Sequence, residues 1–324
     1  MELSRRVFSA DLTQKENPSK REEGAEASSC AKAIIVGEHA VVYGASAVSM
    51  PLHAMEMSIQ VKVLEKGAKT SFLFGNRPVP KHVAEIVSDA FRILSLKEAP
   101  LKIEGCSGIL IGSGLGSSAA LSVVMLKALA KIYNLHFEPG EIASMARELE
   151  SRFHGKSSGL DTSTVAWAQT ILFKPGEGTT VIKCVAPEGV SSWPFVLVDS
   201  GLRSSTFSMI KVAEPYFRHP RDGERRIASF DQMALDTARI LGSGQILEMA
   251  GIIDKAHHML KETGVVNAGL EKIAEEILNS GALAVKVTGA GGGGCLLALL
   301  SPAHFLKQLT TLRNKFGHDK VFVV

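Results

Sequence analysis

Residues 108–133 constrain the fold more tightly than any other stretch, running Gly108-Ile-Leu-Ile-Gly-Ser-Gly-Leu-Gly-Ser-Ser-Ala-Ala and then a long apolar segment to Tyr133. Ile109, Leu110 and Ile111 predict a short buried strand. Gly112, Gly114 and Gly116 interrupt it, and Ser117 and Ser118 open a helix through Leu121, Val124, Ala128, Leu129 and Ile132. A strand, a glycine turn and a serine-capped helix start make an anion site. The turn lets backbone N–H groups approach a phosphate, and the unpaired N–H groups of the first helical turn point at it. The same pattern also suits a plain strand-to-helix turn with a serine N-cap. Two familiar phosphate loops are excluded: a Walker A loop needs Lys after its last Gly, and a dinucleotide fingerprint needs a third Gly, where Ser117 stands in both cases.

A chain of 324 residues has room for two domains, and 45% apolar with 21% charged residues is ordinary for a soluble globular protein. The formal charge of +3 is too small to direct the chain to nucleic acid or to a membrane surface. Cys30, Cys106, Cys184 and Cys295 are scattered and form no C-x-x-C pair, which favours a reduced, cytoplasmic setting over disulfides or a zinc site. Residues 282–300 are apolar, but Lys286 and the glycines of 289–294 rule out a continuous membrane helix. Residues 1–29 lack an apolar signal core and contain Asp11, Glu16, Glu22, Glu23 and Glu26, so they read as a flexible leader.

The first ordered element is expected near Ala31, with a strand over 33–36 ending at Glu38 and His39. Charged residues directly after a strand stand where functional groups are usually presented, although these two could simply pair with each other across a turn. Strands are expected over 47–52, 57–63 and 101–104, and helices over 81–96 and 139–153. Glu150 reads as a helix-end charge or a ligand, and Asp161 as a helix cap or a reacting group. Gly155-Lys-Ser-Ser-Gly159 imitates the G-x-S-x-G elbow, but a helix rather than a strand precedes it. Pro and Gly between 175 and 190 mark a boundary; strands over 169–174, 180–185 and 195–199 surround it, and helices dominate 205–263. The end of the chain alternates strand, glycine loop, strand, helix and strand, the pattern of an α+β sandwich. Gly289-Ala-Gly-Gly-Gly-Gly294 exceeds what a hairpin needs, which points to close backbone approach to a ligand.

Four separated segments then stand together: Lys32-Ala-Ile-Ile-Val-Gly-Glu-His-Ala-Val-Val-Tyr-Gly, Gly112-Ser-Gly-Leu-Gly-Ser-Ser-Ala, His154-Gly-Lys-Ser-Ser-Gly-Leu-Asp161 and Lys286-Val-Thr-Gly-Ala-Gly-Gly-Gly-Gly-Cys295. Together they resemble the GHMP kinase family, and the first and third most resemble its mevalonate kinase branch. The resemblance implies an α+β fold of two domains. A ribosomal protein S5 domain 2-like ATP-binding domain would span 30–187, and a ferredoxin-like α/β sandwich 188–324. It implies transfer of a phosphoryl group from ATP to the 5-hydroxyl of mevalonate, with Mg²⁺ as cofactor. Gly112, Ser113, Gly114, Leu115, Gly116, Ser117, Ser118 and Ala119 would hold ATP, supported by Gly289, Ala290, Gly291 and Gly292. Ser118 and Glu150 would hold the metal, which takes few protein oxygens. Asp161 would act as general base and Lys32 would stabilise the developing alkoxide. Glu38 and His39 would line the acceptor pocket, with Arg203 and Thr288 as candidates for the acceptor carboxylate and its surroundings. The resemblance leaves room for a homodimer and requires neither nucleic acid nor membrane.

Two departures alter loop geometry without removing a reacting group: Cys30-Ala31 replaces the family's Pro-Gly, and Ser157 replaces its Pro. A phosphomevalonate kinase would need a further basic cluster, and the only compact one, Arg221, Arg225 and Arg226, reads as a helix face. A non-catalytic sensor should have lost Asp161, Lys32, Ser118 or Glu150, and all four are present. An RNA-binding module on the same scaffold would carry more positive charge.

Overall fold

The computed structural model describes residues 23–154 and 157–324; residues 1–22 of the expected leader, and Gly155 and Lys156, lie outside the described residues. Strands β1 (Gly24–Val36) and β2 (Ala47–Val63) pair antiparallel from Gly24 opposite Lys62 to Val36 opposite Val48. Order therefore begins ahead of Ala31, and residues 24–29, expected in the leader, form strand. Ala27 and Ser29 alternate inward, and Ser29 Oγ donates to the Ala120 carbonyl at 2.9 Å. Small residues on the inward face hid that alternation from a hydrophobicity reading. The two strands expected over 47–63 are one, with the residues between Leu52 and Glu56 absorbed as an irregularity opposite Cys30 and Ala31.

Strands β3 (Ser71–Phe74), β4 (Arg77–Pro78), β5 (Leu101–Ser107), β6 (Ile171–Lys174) and β7 (Gly178–Val181) complete the first sheet. Its order is β4-β3-β5-β2-β6-β7, with β1 also on β2. The helix expected over 81–96 is two, α1 (Lys81–Ala84) and α2 (Ile86–Ile93). The strand expected over 109–111 does not form. The ladder of β5 stops at Ser107, Gly108 N makes a last bond to the Glu56 carbonyl at 2.8 Å, and Ile111 ends 78% exposed in the following turn. Helix α3 (Ser117–Ile132) starts at once from Gly116, at φ 76°, with no side-chain cap, so neither serine is an N-cap. It is buried on nearly every side, which explains why its sequence is apolar all round rather than striped. Helices α4 (Pro139–His154) and α5 (Leu160–Trp167) pack beside it.

The second sheet contains β8 (Phe195–Asp199), β9 (Ala284–Val287), β10 (Cys295–Leu299) and β11 (Val321–Val323), all antiparallel, in the order β11-β8-β10-β9. Numbered from β8, that is the 4-1-3-2 order of a ferredoxin-like sheet, and the α+β class is as expected. Helices α6 (Thr206–Phe217), α7 (Gly223–Leu241), α8 (Ile246–Glu262) and α9 (Ala268–Asn279) connect β8 to β9, and α10 (Phe305–Phe316) precedes β11. Alternation along the strands separates the faces. Phe195, Leu197, Leu297 and Leu299 join the large core shared with the first sheet; Val196, Val198, Leu296 and Ala298 pack with Leu270, Ile277 and Leu312 of α9 and α10.

The glycines of 289–294 meet protein rather than open space. A Cβ on Gly289 would lie 2.8 Å from the Gly114 carbonyl oxygen, and one on Gly294 would overlap the carbonyl oxygen of Ser113. Cys295 N donates to that same Ser113 oxygen at 3.1 Å. Gly289 and Gly294 thus lie backbone to backbone on the first glycine loop, while Gly291, Gly292 and Gly293 meet Val265, Met209 and Leu202, so close approach within the protein accounts for these glycines as well as approach to a ligand. Gly294→Ala, at φ +82° and against immovable backbone, is expected to destabilise the fold by about 2–4 kcal/mol, read as a lower urea midpoint with an unchanged m-value.

Candidate active site

A cavity of about 360 Å³ opens between the sheets, walled by the first glycine loop, residues 289–291 and the start of α6. Lys32 on β1 forms its floor. The Lys32 backbone N–H donates to the Leu115 carbonyl at 3.0 Å, while Nζ donates to the Gly114 carbonyl at 3.0 Å and pairs with Asp161 Oδ2 at 2.9 Å. A Cβ on Gly116 would come within 3.0 Å of the Lys32 side chain, so the loop lies directly on the lysine. Asp161 sits in the first turn of α5, behind Gly159 at φ +95°. Its side chain remains 29% exposed to the cavity, whereas that of Lys32 is buried.

Glu150, near the end of α4, is buried rather than solvated. Ser118 Oγ donates to its Oε1 at 3.1 Å and Ser157 Oγ to its Oε2 at 2.6 Å. Burial, and then the charge of Asp161 close by, push its carboxyl up to about 7; the two hydroxyls and Lys32 hold it from going higher. A buried carboxylate and an adjacent hydroxyl at the mouth of an anion loop are an all-oxygen set suited to a hard dication.

Of the residues expected to hold ATP, Gly112, Gly114, Leu115, Gly116, Ser117 and Ser118 face the cavity. Ser113 and Ala119 are buried beneath it, Ser113 Oγ donating to the Leu110 carbonyl at 2.6 Å. Gly289, Ala290 and Gly291 line the opposite wall, and Gly292 turns away toward Met209 and Ser204.

Glu38 and His39 line the cavity and do not pair with each other. His39 Nε2–H donates to the Ala290 carbonyl at 2.8 Å, which fixes the tautomer, and burial lowers its pKa to about 4, so the ring is neutral near pH 7. Glu38 Oε1 accepts from the fully buried Lys286, whose Nζ also donates to the Val287 carbonyl at 2.7 Å. Burial pushes the Glu38 carboxyl up and the Lys286 ammonium down. Glu38 Oε2 has no partner among the described residues.

Two expected acceptor contacts are engaged within the protein. Arg203 is held by Asp199 through two bonds of 2.7 and 2.8 Å and does not line the cavity. Thr288 is fully buried, its hydroxyl donating to the Ile34 carbonyl at 3.0 Å and accepting from Ile34 N at 2.9 Å. It pins β1 to the second sheet. Lys286 is a further residue of the site, and a lone lysine in the apolar strand Ala284–Val287 is its signal in the sequence.

The family model described as GHMP kinases N terminal domain matches residues 79–169, and that described as GHMP kinases C terminal matches residues 238–317. The mevalonate kinase of Archaeoglobus fulgidus is 31% identical over 278 residues, covering 84% of this chain and 91% of that one. The chain belongs to the GHMP kinase family. Its phosphoryl donor is accordingly ATP. The fold of this GHMP kinase is shared with L. major mevalonate kinase in complex with R-mevalonate, at TM-score 0.78, 19% identity and coverage of 95% and 98%. It is shared almost as well with Lactococcus lactis galactokinase complexed with galactose, at TM-score 0.76, 14% identity and coverage of 94% and 94%. The fold therefore does not select the acceptor. Among the described residues no helix is long and apolar enough to cross a membrane.

The raised carboxyl of Glu150 sets a pH dependence of stability. Its folded pKa of about 7 exceeds the ordinary glutamate value of 4.5, so the native state holds the extra proton between them. The stabilisation is complete below the lower value and disappears as pH rises through the upper one. Relative to Glu150→Gln, and in chelator, the wild type should lose on the order of 2 kcal/mol between pH 5 and 8. Denaturation of both proteins across that range measures it; parallel curves would refute it.

Proposed function

We propose that this GHMP kinase transfers the γ-phosphoryl group of ATP to the 5-hydroxyl of (R)-mevalonate, giving 5-phosphomevalonate for isoprenoid synthesis. The observation that carries the chemistry is the Lys32–Asp161 pair, 2.9 Å apart beside the start of α3. The acceptor is inferred from the relative at 31% identity, named mevalonate kinase, which this chain covers over 91% of its length.

Phosphoryl transfer asks the protein mainly for positioning and charge stabilisation. The first glycine loop and the N-terminus of α3 take the ATP phosphates. Asp161 accepts the proton of the attacking hydroxyl, and Lys32 Nζ, already bonded to Asp161 and the Gly114 carbonyl, stabilises the oxygen as charge develops on it. Ser118 and Glu150 would hold Mg²⁺, which when bound neutralises phosphate charge. Glu38, held by Lys286, lines the acceptor pocket. His39, neutral and fixed through its Nε2–H, shapes the pocket rather than supplying charge. The described cysteines are free thiols, which suits a reducing cytoplasm.

An ATP-consumption assay across mevalonate, phosphomevalonate, homoserine and galactose tests the acceptor. Turnover is expected with mevalonate, and turnover with galactose alone would reject the reading. For the mechanism, Asp161→Asn should lower kcat by about 10²–10⁴-fold while ATP affinity stays near wild type. A kcat within a few-fold of wild type would remove Asp161 from the role of base.

A further inference from the structure

The loop between α4 and α5 carries a hydroxyl that the reaction above does not use. Each oxygen of Glu150 is fixed by a hydroxyl from a different element: Oε1 by Ser118 of α3 at 3.1 Å, Oε2 by Ser157 at 2.6 Å. The second distance is that of a charge-assisted O–H···O⁻ bond. Ser157 Oγ also accepts from Gly159 N at 3.2 Å, and the Ser157 carbonyl accepts from Arg147 Nε of α4 at 3.0 Å. The Arg147 Cδ lies 3.1 Å from where a Cβ on Gly159 would stand, so α4 grips the loop at two points just before Asp161. Among the described residues, Ser157 is the side chain bonded both to Glu150 and to the loop that carries Asp161.

A glutamate's terminal torsion is broad and roughly two-fold, so burial alone does not orient its carboxylate. A donor on one oxygen does. We infer that Ser157 is a positioning residue: its hydroxyl occupies Glu150 Oε2, leaves Oε1 on the Ser118 side as the oxygen offered to the divalent cation, and ties that carboxylate to the loop bearing Asp161. A proline at this position, the residue the family pattern carries, would supply no such donor. The inference rests on the metal reading of Ser118 and Glu150.

The test measures the affinity of a non-hydrolysable ATP analogue by calorimetry, without acceptor, once in Mn²⁺ and once in EDTA. Ser157→Ala should bind the analogue about tenfold more weakly than wild type in Mn²⁺ and equally in EDTA, whereas Ser157→Thr, which keeps the hydroxyl, should match wild type in both. In turnover, Ser157→Ala should lower kcat with the acceptor KM within about twofold. Wild-type affinity of Ser157→Ala in Mn²⁺ would overturn the inference, as would an equal loss in EDTA, which marks collapse of the loop. Glu150→Gln separates the two layers. If it loses the Mn²⁺ effect while Ser157→Ala keeps it, only the role of Ser157 falls; if it too binds as wild type, the metal reading falls and this inference with it.

Discussion

The ammonium of Lys32 is the contact on which the site depends. A charge buried to this degree is tolerated only when paired and hydrogen-bonded. Both partners it finds line the cavity: the Gly114 carbonyl of the first glycine loop and the carboxylate of Asp161. Its backbone N–H holds the loop a second time through Leu115. One residue on β1 thus sets the height of the loop, the start of α3 and the position of Asp161. Those positions agree because each is measured from the same side chain.

A second buried lysine does comparable work between the sheets. Lys286 of β9 meets Glu38 at the end of the β1 region, Thr288 exchanges two hydrogen bonds with Ile34, and Ala290 receives the His39 ring. Removing either member of the Lys286–Glu38 pair would strand the other in a dry interior, which is why such pairs act as registers between parts. The glycines of 289–294 let the backbone of the second sheet lie against residues 113 and 114. Glu38 and His39 after β1 and residues 289–291 after β9 therefore hold one spacing across the cavity.

Much of this was legible in the chain. The glycine turn running into α3, the charged pair after β1, and Asp161 behind a serine-glycine turn are local patterns, and their residues do line one cavity. What misled was also local. Ile109 to Ile111 carry strand propensity, but no strand lies beside them to accept their hydrogen bonds. Ser117 and Ser118 have the chemistry of caps, yet Gly116 takes that position and Ser118 turns to Glu150. Arg203 offers the fork a carboxylate needs, and Asp199 four residues before it uses that fork first.

The sequence by itself determined most of the elements and which side chains are candidates for the site, because hydrophobic period, turn glycines and side-chain chemistry act over a few residues. It also determined the family, through segments separated by most of the chain. Only the tertiary structure decided which polar groups are free. Glu150 is a buried carboxylate with a raised pKa rather than a solvated helix-end charge, Thr288 clamps β1 to the second sheet, and Gly289 and Gly294 lie on the backbone of the first glycine loop. Burial and partnership depend on residues up to 254 positions apart, as between Ile34 and Thr288. No local pattern encodes that distance.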